Sequence, residues 1–306
     1  MLGICAAAPG LASPQADFSV DVKVVSMVAV VRDKQGRLAG GLQQEDFAIE
    51  EDGHPQPITY FLSRNELPLM IGLLVDTSFS QWKVLNQEHA ASIVFLNEVL
   101  RDVDRAFVGT FDANLKMIQE PTSSRSDLEN SLRQIPTGTT SKAPVYGTVL
   151  FDAVYRSAEV VMKRVQGRHA VILLTDGVDS GSVRSEAAAI EACLRTETAI
   201  YSICISDEAA YGAPLIGRGG RGGIGPASDG EGTLKHLSEK TGGGFFVVSP
   251  QLTLEQIFKT ISDELRSQYN IGYAAPGGKP GFHKVRVIAK RPGLKVRTRE
   301  GYYSGG

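Results

Sequence analysis

Cysteine is scarce: three residues in 306, too few for a disulfide framework. Cys5 lies near the start, and Cys193 and Cys204 fall on a predicted helix and on the strand after it. Both are expected to face a helix–sheet core as small hydrophobes. A disulfide between them is possible but not indicated, so cysteine usage settles no compartment. No apolar run approaches the roughly 20 residues that cross a bilayer, so no membrane-spanning helix is expected. An excess of one charge is also missing, with 32 basic residues against 34 acidic and a net charge of −2. That balance offers nothing to a nucleic-acid polyanion, and 42% hydrophobic content argues against general disorder. The five histidines, His54, His89, His169, His236 and His283, are scattered and show no His-x-x-x-His spacing. There is no Gly-x-Ser-x-Gly elbow and no Walker-type phosphate loop. What remains is a globular chain long enough for one large or two ordinary domains.

What the sequence does have is chemistry at strand ends. Leu69 to Val75 reads as a buried strand running into Asp76-Thr77-Ser78-Phe79-Ser80, with an amphipathic helix beyond. Open α/β sheets place their ligand sites at the carboxyl ends of such strands. One carboxylate and two hydroxyls at alternate positions form an oxygen set suited to a hard divalent cation. Alone, Asp-x-Ser-x-Ser is short enough to recur by chance, and Ser and Asp at such a turn commonly do no more than cap a helix. Two later segments answer it. Ala170 to Thr175 is a second buried-strand run ending in Asp176-Gly177, and Gly147-Thr148 opens another helix between the two.

Together these segments resemble the von Willebrand factor type A domain and its metal-ion-dependent adhesion site. That pattern is Asp-x-Ser-x-Ser, then a loop threonine, then an aspartate ending a later strand. Carried over residue by residue, it gives Asp76, Ser78, Ser80, Thr148 and Asp176. The resemblance implies that the serines and threonine supply hydroxyl oxygens to Mg²⁺ or Mn²⁺, while the aspartates act largely through coordinated water. It also implies an exposed coordination position that an Asp or Glu of a partner protein fills. The expected function is therefore a metal-dependent protein-binding module for adhesion or complex assembly, and not an enzyme. Two alternatives stay open: a scaffold whose ion only stabilises the fold, and a metal-dependent hydrolase, which requires a general base beside the ion.

The texture of the chain sets the expected organisation. From Phe18 to about Arg64 the pattern is strand-like, punctuated by turn residues. From Leu67 to about Arg266, buried strands near 69–75, 105–111, 170–175, 199–205 and 244–248 alternate with helices, and a short extra strand falls near 115–119. The helices are placed near 81–100, 126–134, 148–164, 183–196, 233–241 and 254–267. Strands return at Tyr269–Tyr273, His283–Ile288 and Leu294–Thr298. The expected fold class is α/β: a Rossmann-like type A domain, 66–267, inserted in a discontinuous β-sandwich of 17–64 and 268–304. Secreted bacterial proteins related to this family show a similar arrangement, down to an ending like Arg299-Glu300-Gly301-Tyr302-Tyr303. Residues 1–16 read as the remnant of an export signal or a disordered tail, hence an expected location outside the cytoplasm, secreted, periplasmic or in the cell envelope.

Several lesser features have plainer accounts. Gly217-Arg218-Gly219-Gly220-Arg221-Gly222 satisfies Gly-x-Gly-x-x-Gly, but it lacks a strand entering and a helix leaving, so it reads as a surface loop. Asp179 is expected to cap the helix that follows it. Phe79 is either a rim contact for a ligand or local packing, and Trp82 lies beside it. Thr253 and Gln256 fit a capping box ahead of the stripe Leu254, Ile257, Phe258, Ile261 and Leu265. In relatives of this domain the last helix slides and alters metal affinity; here a sliding and a fixed helix are both open.

Overall fold

The computed structural model describes residues 24–63, 67–78, 85–136, 147–205, 229–275 and 280–305. In chain order, β1 (Val24–Arg32), β2 (Phe47–Glu51), β3 (His54–Gln56) and β4 (Tyr60–Leu62) precede the α/β region. That region runs β5 (Leu69–Asp76), α1 (Leu85–Val99), β6 (Arg105–Phe111), β7 (Leu115–Thr122), α2 (Arg125–Arg133), α3 (Leu150–Arg156) and β8 (Arg168–Thr175). It continues through α4 (Glu186–Arg195), β9 (Thr198–Cys204), α5 (Gly230–Thr241), β10 (Phe245–Val247) and α6 (Leu254–Arg266). Strands β11 (Tyr269–Ala274), β12 (Gly281–Ala289), β13 (Lys295–Arg297) and β14 (Gly301–Ser304) follow.

The central sheet has the order β10-β9-β8-β5-β6-β7, parallel except for the β6–β7 pair. β5 is buried along its whole length, as a central strand covered on both faces must be. Its side chains alternate between two cores. Leu69, Ile71, Leu73 and Val75 join the cluster carrying Phe95 of α1, Leu128 of α2 and Phe258 of α6. Met70 and Leu74 join the cluster carrying Leu150 of α3, Cys193 of α4 and Leu234 of α5. Gly72 interrupts that second face because the Phe107 ring occupies the space, with Cζ 2.3 Å from where a Cβ would stand. Each residue type thus follows from the period-two geometry of a doubly covered strand.

The flanking strands pair across the length of the chain. β13-β1-β11-β4 and β14-β12-β2-β3 are each four-stranded and antiparallel, and each mixes strands from both ends. Both sheets contribute to one apolar cluster that includes Met27, Phe47, Ile49, Tyr269, Ile271 and Val285. Phe47 of one sheet and Tyr269 of the other meet with ring centroids 5.3 Å apart. The observed fold is therefore α/β, with a mostly parallel sheet flanked by helices and additional antiparallel sheets. The expected helix at 148–164 is a composite: α3 widens into π geometry at Ser157–Val161 and then tightens to a 3-10 turn at Met162–Arg164. Cys193 and Cys204 are buried free thiols, and burial pushes the Cys204 thiol up to about 12.

Candidate metal centre

β5 lies between β8 and β6, so the chain leaves β5 toward one side of the sheet and reaches β8 on the other. The crevice between two such strand ends is where open α/β sheets bind ligands. The register Val75↔Leu174 sets Asp76 beside Thr175. Asp76 is wholly buried, and both its oxygens are held by the chain. Oδ1 accepts the Ser78 N–H at 2.8 Å, and Oδ2 accepts the Thr175 hydroxyl at 2.6 Å. Thr175 Oγ1 accepts the Gly177 N–H at 3.1 Å, and Asp176 Oδ1 accepts the Val178 N–H at 3.0 Å. Gly177 has φ +82°, and a Cβ there would stand 2.3 Å from the Gly230 carbonyl oxygen. Only glycine lets the β8 loop turn this close to α5.

Four loops are tied together at this edge. The Thr77 N–H donates to the Phe111 carbonyl and the Val149 N–H to the Asp112 carbonyl, both at 2.9 Å. The Thr148 N–H donates to Ser180 Oγ at 3.0 Å, and its carbonyl accepts Ser180 N–H at 3.0 Å and Gly181 N–H at 3.2 Å. The loop after β8 also exchanges carboxylates with the start of α3. Asp179 Oδ1 accepts the Phe151 N–H at 3.3 Å, while Asp152 accepts the Val183 and Arg184 N–H groups at 3.0 and 2.9 Å. This corrects the expectation for Asp179: it caps the preceding helix α3 and not the one that follows. α4 is capped instead by Ser185, which accepts the Ala188 N–H at 3.3 Å. The reason is spatial, since the loop after β8 folds back over α3 before α4 begins.

No protein-family model matches the sequence, and no curated protein is significantly similar to it. Solved structures are similar. A von Willebrand factor type A protein from Catenulispora acidiphila aligns over 93% of this chain and 75% of its own, at 12% identity and a TM-score of 0.50. Proximal thread matrix protein 1 from the mussel byssus aligns over 70% of this chain and 50% of its own, at 14% identity and a TM-score of 0.50. This chain has the von Willebrand factor type A fold. At such identities the likeness is one of fold alone.

Within this type A fold, Asp76 ends β5, while Ser78, Thr148 and Asp176 sit on the loops tied together at the β5/β8 edge; Ser80, Phe79 and Trp82 lie outside the described residues. The electrostatics ask for a cation. Burial pushes the Asp76 carboxyl up to about 6, against the pull of hydrogen bonds from Thr175 and Ser78, and Asp176 adds like-charge repulsion. Among the described residues, no Lys, Arg or His forms an ion pair with Asp76 or Asp176. The donor set is two hydroxyls, both largely buried, and two carboxylates, all oxygen and short of positive charge, so a hard divalent cation fits it. Sequence reasoning missed Thr175, whose hydroxyl fixes Asp76, and Ser180, whose side chain fixes Thr148. A signal for Thr175 exists: a hydroxyl residue closes an otherwise aliphatic strand directly before the second acid.

Proposed function

We propose that this chain is a metal-dependent protein-binding module that takes an Asp or Glu side chain of a partner at a divalent cation. Asp76, Ser78, Ser80, Thr148 and Asp176 would hold the ion, Mg²⁺ or Mn²⁺. The observation that carries the reading is Asp76: a wholly buried carboxylate, clamped at both oxygens by Ser78 and Thr175, beside the second acid Asp176, with no described basic partner. Because its oxygens already accept from Ser78 and Thr175, Asp76 suits contact through water, leaving the hydroxyls of Ser78 and Thr148 as direct ligands. When bound, an ion with so neutral a set of direct ligands keeps much of its charge and supplies a Lewis-acidic position for an external carboxylate.

Binding is favoured over hydrolysis by where the histidines lie. His169 contacts the Thr196 and Val165 carbonyls, and His236 contacts Glu186. Among the described residues, no histidine hydrogen-bonds to Asp76, Ser78, Thr148 or Asp176.

The test is affinity capture of a partner from extract in Mg²⁺, followed by surface plasmon resonance. Binding is expected to vanish in EDTA, to return with Mg²⁺ or Mn²⁺, and to be lost in Thr148→Ala. Neutralising the partner's critical acid should cost about 2–5 kcal/mol, the scale of a buried interfacial charge pair. A partner that binds equally well in excess chelator would leave the ion a structural role and overturn the reading.

A further inference from the structure

A second cluster lies in the antiparallel layer, away from the β5/β8 edge. Glu51 ends β2, Asp52 follows in the β2–β3 turn, and His283 sits on β12 opposite Tyr302 of β14. Glu51 Oε1 is 3.4 Å and Asp52 Oδ2 is 2.9 Å from His283 Nδ1. The three ligand atoms lie within 4.8 Å of one another.

We propose that Glu51, Asp52 and His283 form a second cation site, selective for a transition-metal ion of the zinc class, which staples the two ends of the chain together.

Three features of the geometry carry this. First, each group is held through an atom outside the cluster and turns another to the common point, with the Tyr302 hydroxyl 3.4 Å from both Glu51 oxygens. Glu51 Oε2 accepts the Tyr273 hydroxyl at 2.5 Å, Asp52 Oδ1 accepts the Lys284 N–H at 2.9 Å, and His283 Nε2 lies 2.9 Å from Ser304 Oγ. Metal-binding histidines commonly use the second ring nitrogen in this way, which sets the tautomer and the ring plane. Ser304 Oγ donates to the Gly281 carbonyl at 3.4 Å, which suits it to accept Nε2–H. Nδ1, hydrogen-bonded to Asp52 Oδ2 at 2.9 Å, would be the ligand atom, with the ion replacing the proton it shares. Second, the 2.9 and 3.4 Å separations bracket the roughly 3.3 Å edge of a tetrahedron with bonds of about 2.0–2.1 Å. Third, Glu51 is only 5% exposed, and the Tyr302 ring stacks on the imidazole at 5.3 Å. Both therefore sit in fixed orientations, while the half-exposed Asp52 leaves water a way to a fourth position. A nitrogen with two carboxylates selects zinc-class ions over Mg²⁺, which takes oxygen alone. Two acids facing one ring nitrogen need a positive charge between them, and a proton on Nδ1 is the competing answer.

The experiment separates the two answers and the two sites. Zn²⁺ is titrated calorimetrically into the intact chain and into Asp76→Ala/Ser78→Ala, with Co²⁺ absorption as a probe of coordination. The expected result is one Zn²⁺ site retained in the Asp76/Ser78 variant, and the intense visible bands of a tetrahedral Co²⁺ complex. His283→Asn and Asp52→Asn should each abolish that site, and Ser304→Ala should weaken it about 10- to 100-fold. Asp52 is half-exposed, so its variant carries the test if the His283 variant does not fold. If the Asp76/Ser78 variant does not fold, the intact chain must take two Zn²⁺ and lose one in Asp52→Asn. Zn²⁺ binding unchanged in Asp52→Asn and His283→Asn, or no Zn²⁺ beyond the β5/β8 site, would assign the cluster to a proton-bridged ion pair and overturn the proposal.

Discussion

At the scale of single residues, Asp76 decides most. A carboxyl raised from 3.8 to about 6 by burial binds protons more strongly in the folded chain than in the unfolded one. Its contribution to stability therefore falls as pH rises through that window, and above pH 6 the ion-free protein bears a cost of about 3 kcal/mol. A divalent cation should cancel it. Thermal melts in EDTA are expected to give a lower Tm at pH 7 than at pH 5.5 from this group, with Mg²⁺ raising the pH 7 value more; Asp76→Asn should remove the difference. Equal Mg²⁺ stabilisation at both pH values would contradict this. Asp76, Ser78, Thr148 and Asp176 stand out in the sequence as candidates because ligand chemistry restricts residue type at fixed separations. Ser180 does not, because a supporting hydroxyl is defined by what it touches, and Thr175 leaves only the faint signal of a hydroxyl closing an aliphatic run before Asp176. Asp179 was misread for the same reason: its partner, the Phe151 N–H, lies 28 residues back.

Among elements, α6 shows what periodicity reveals and what it hides. The Thr253–Gln256 capping box and the buried stripe from Leu254 to Leu265 are both present. Glu264 on the same helix is fully buried and gives no such signal. Its partners are Arg32 of β1, at 2.6 Å, and Arg297 of β13, residues from opposite ends of the chain. Such a pair resists any slide of α6 relative to the antiparallel layer. Removing both partners by Arg32→Met/Arg297→Met should strand a buried charge and cost about 3–5 kcal/mol, read from urea unfolding midpoints; a loss under about 1 kcal/mol would show that Glu264 is solvated. The π-wide segment after α3 was also hidden, since its apolar spacing differs little from that of an α-helix.

For the whole molecule, alternating buried strands and helices showed the α/β region plainly, whereas the pairing of the two ends rests on contacts more than 200 residues apart. β1 pairs with β11 from Val24↔Ala274 to Ala29↔Tyr269. The antiparallel layer is bound to the α/β region by Arg299, which reaches the Ser26 carbonyl at 2.7 Å and Glu197 at 3.0 Å, and by the Lys240–Glu300 pair at 2.6 Å. Residues 66–267 alone are expected to fold but to melt below the intact chain, and each flank alone to be unfolded. A dispersed NMR spectrum from 17–64 in isolation would show that the flanks are not one sandwich. The central claim, that the molecule holds a divalent cation at the β5/β8 edge, is tested most directly by calorimetric titration of Mg²⁺ into the intact chain and into Ser78→Ala/Ser80→Ala. One Mg²⁺ bound by the parent and none by the folded double variant is the predicted result; unchanged affinity in the variant would contradict it.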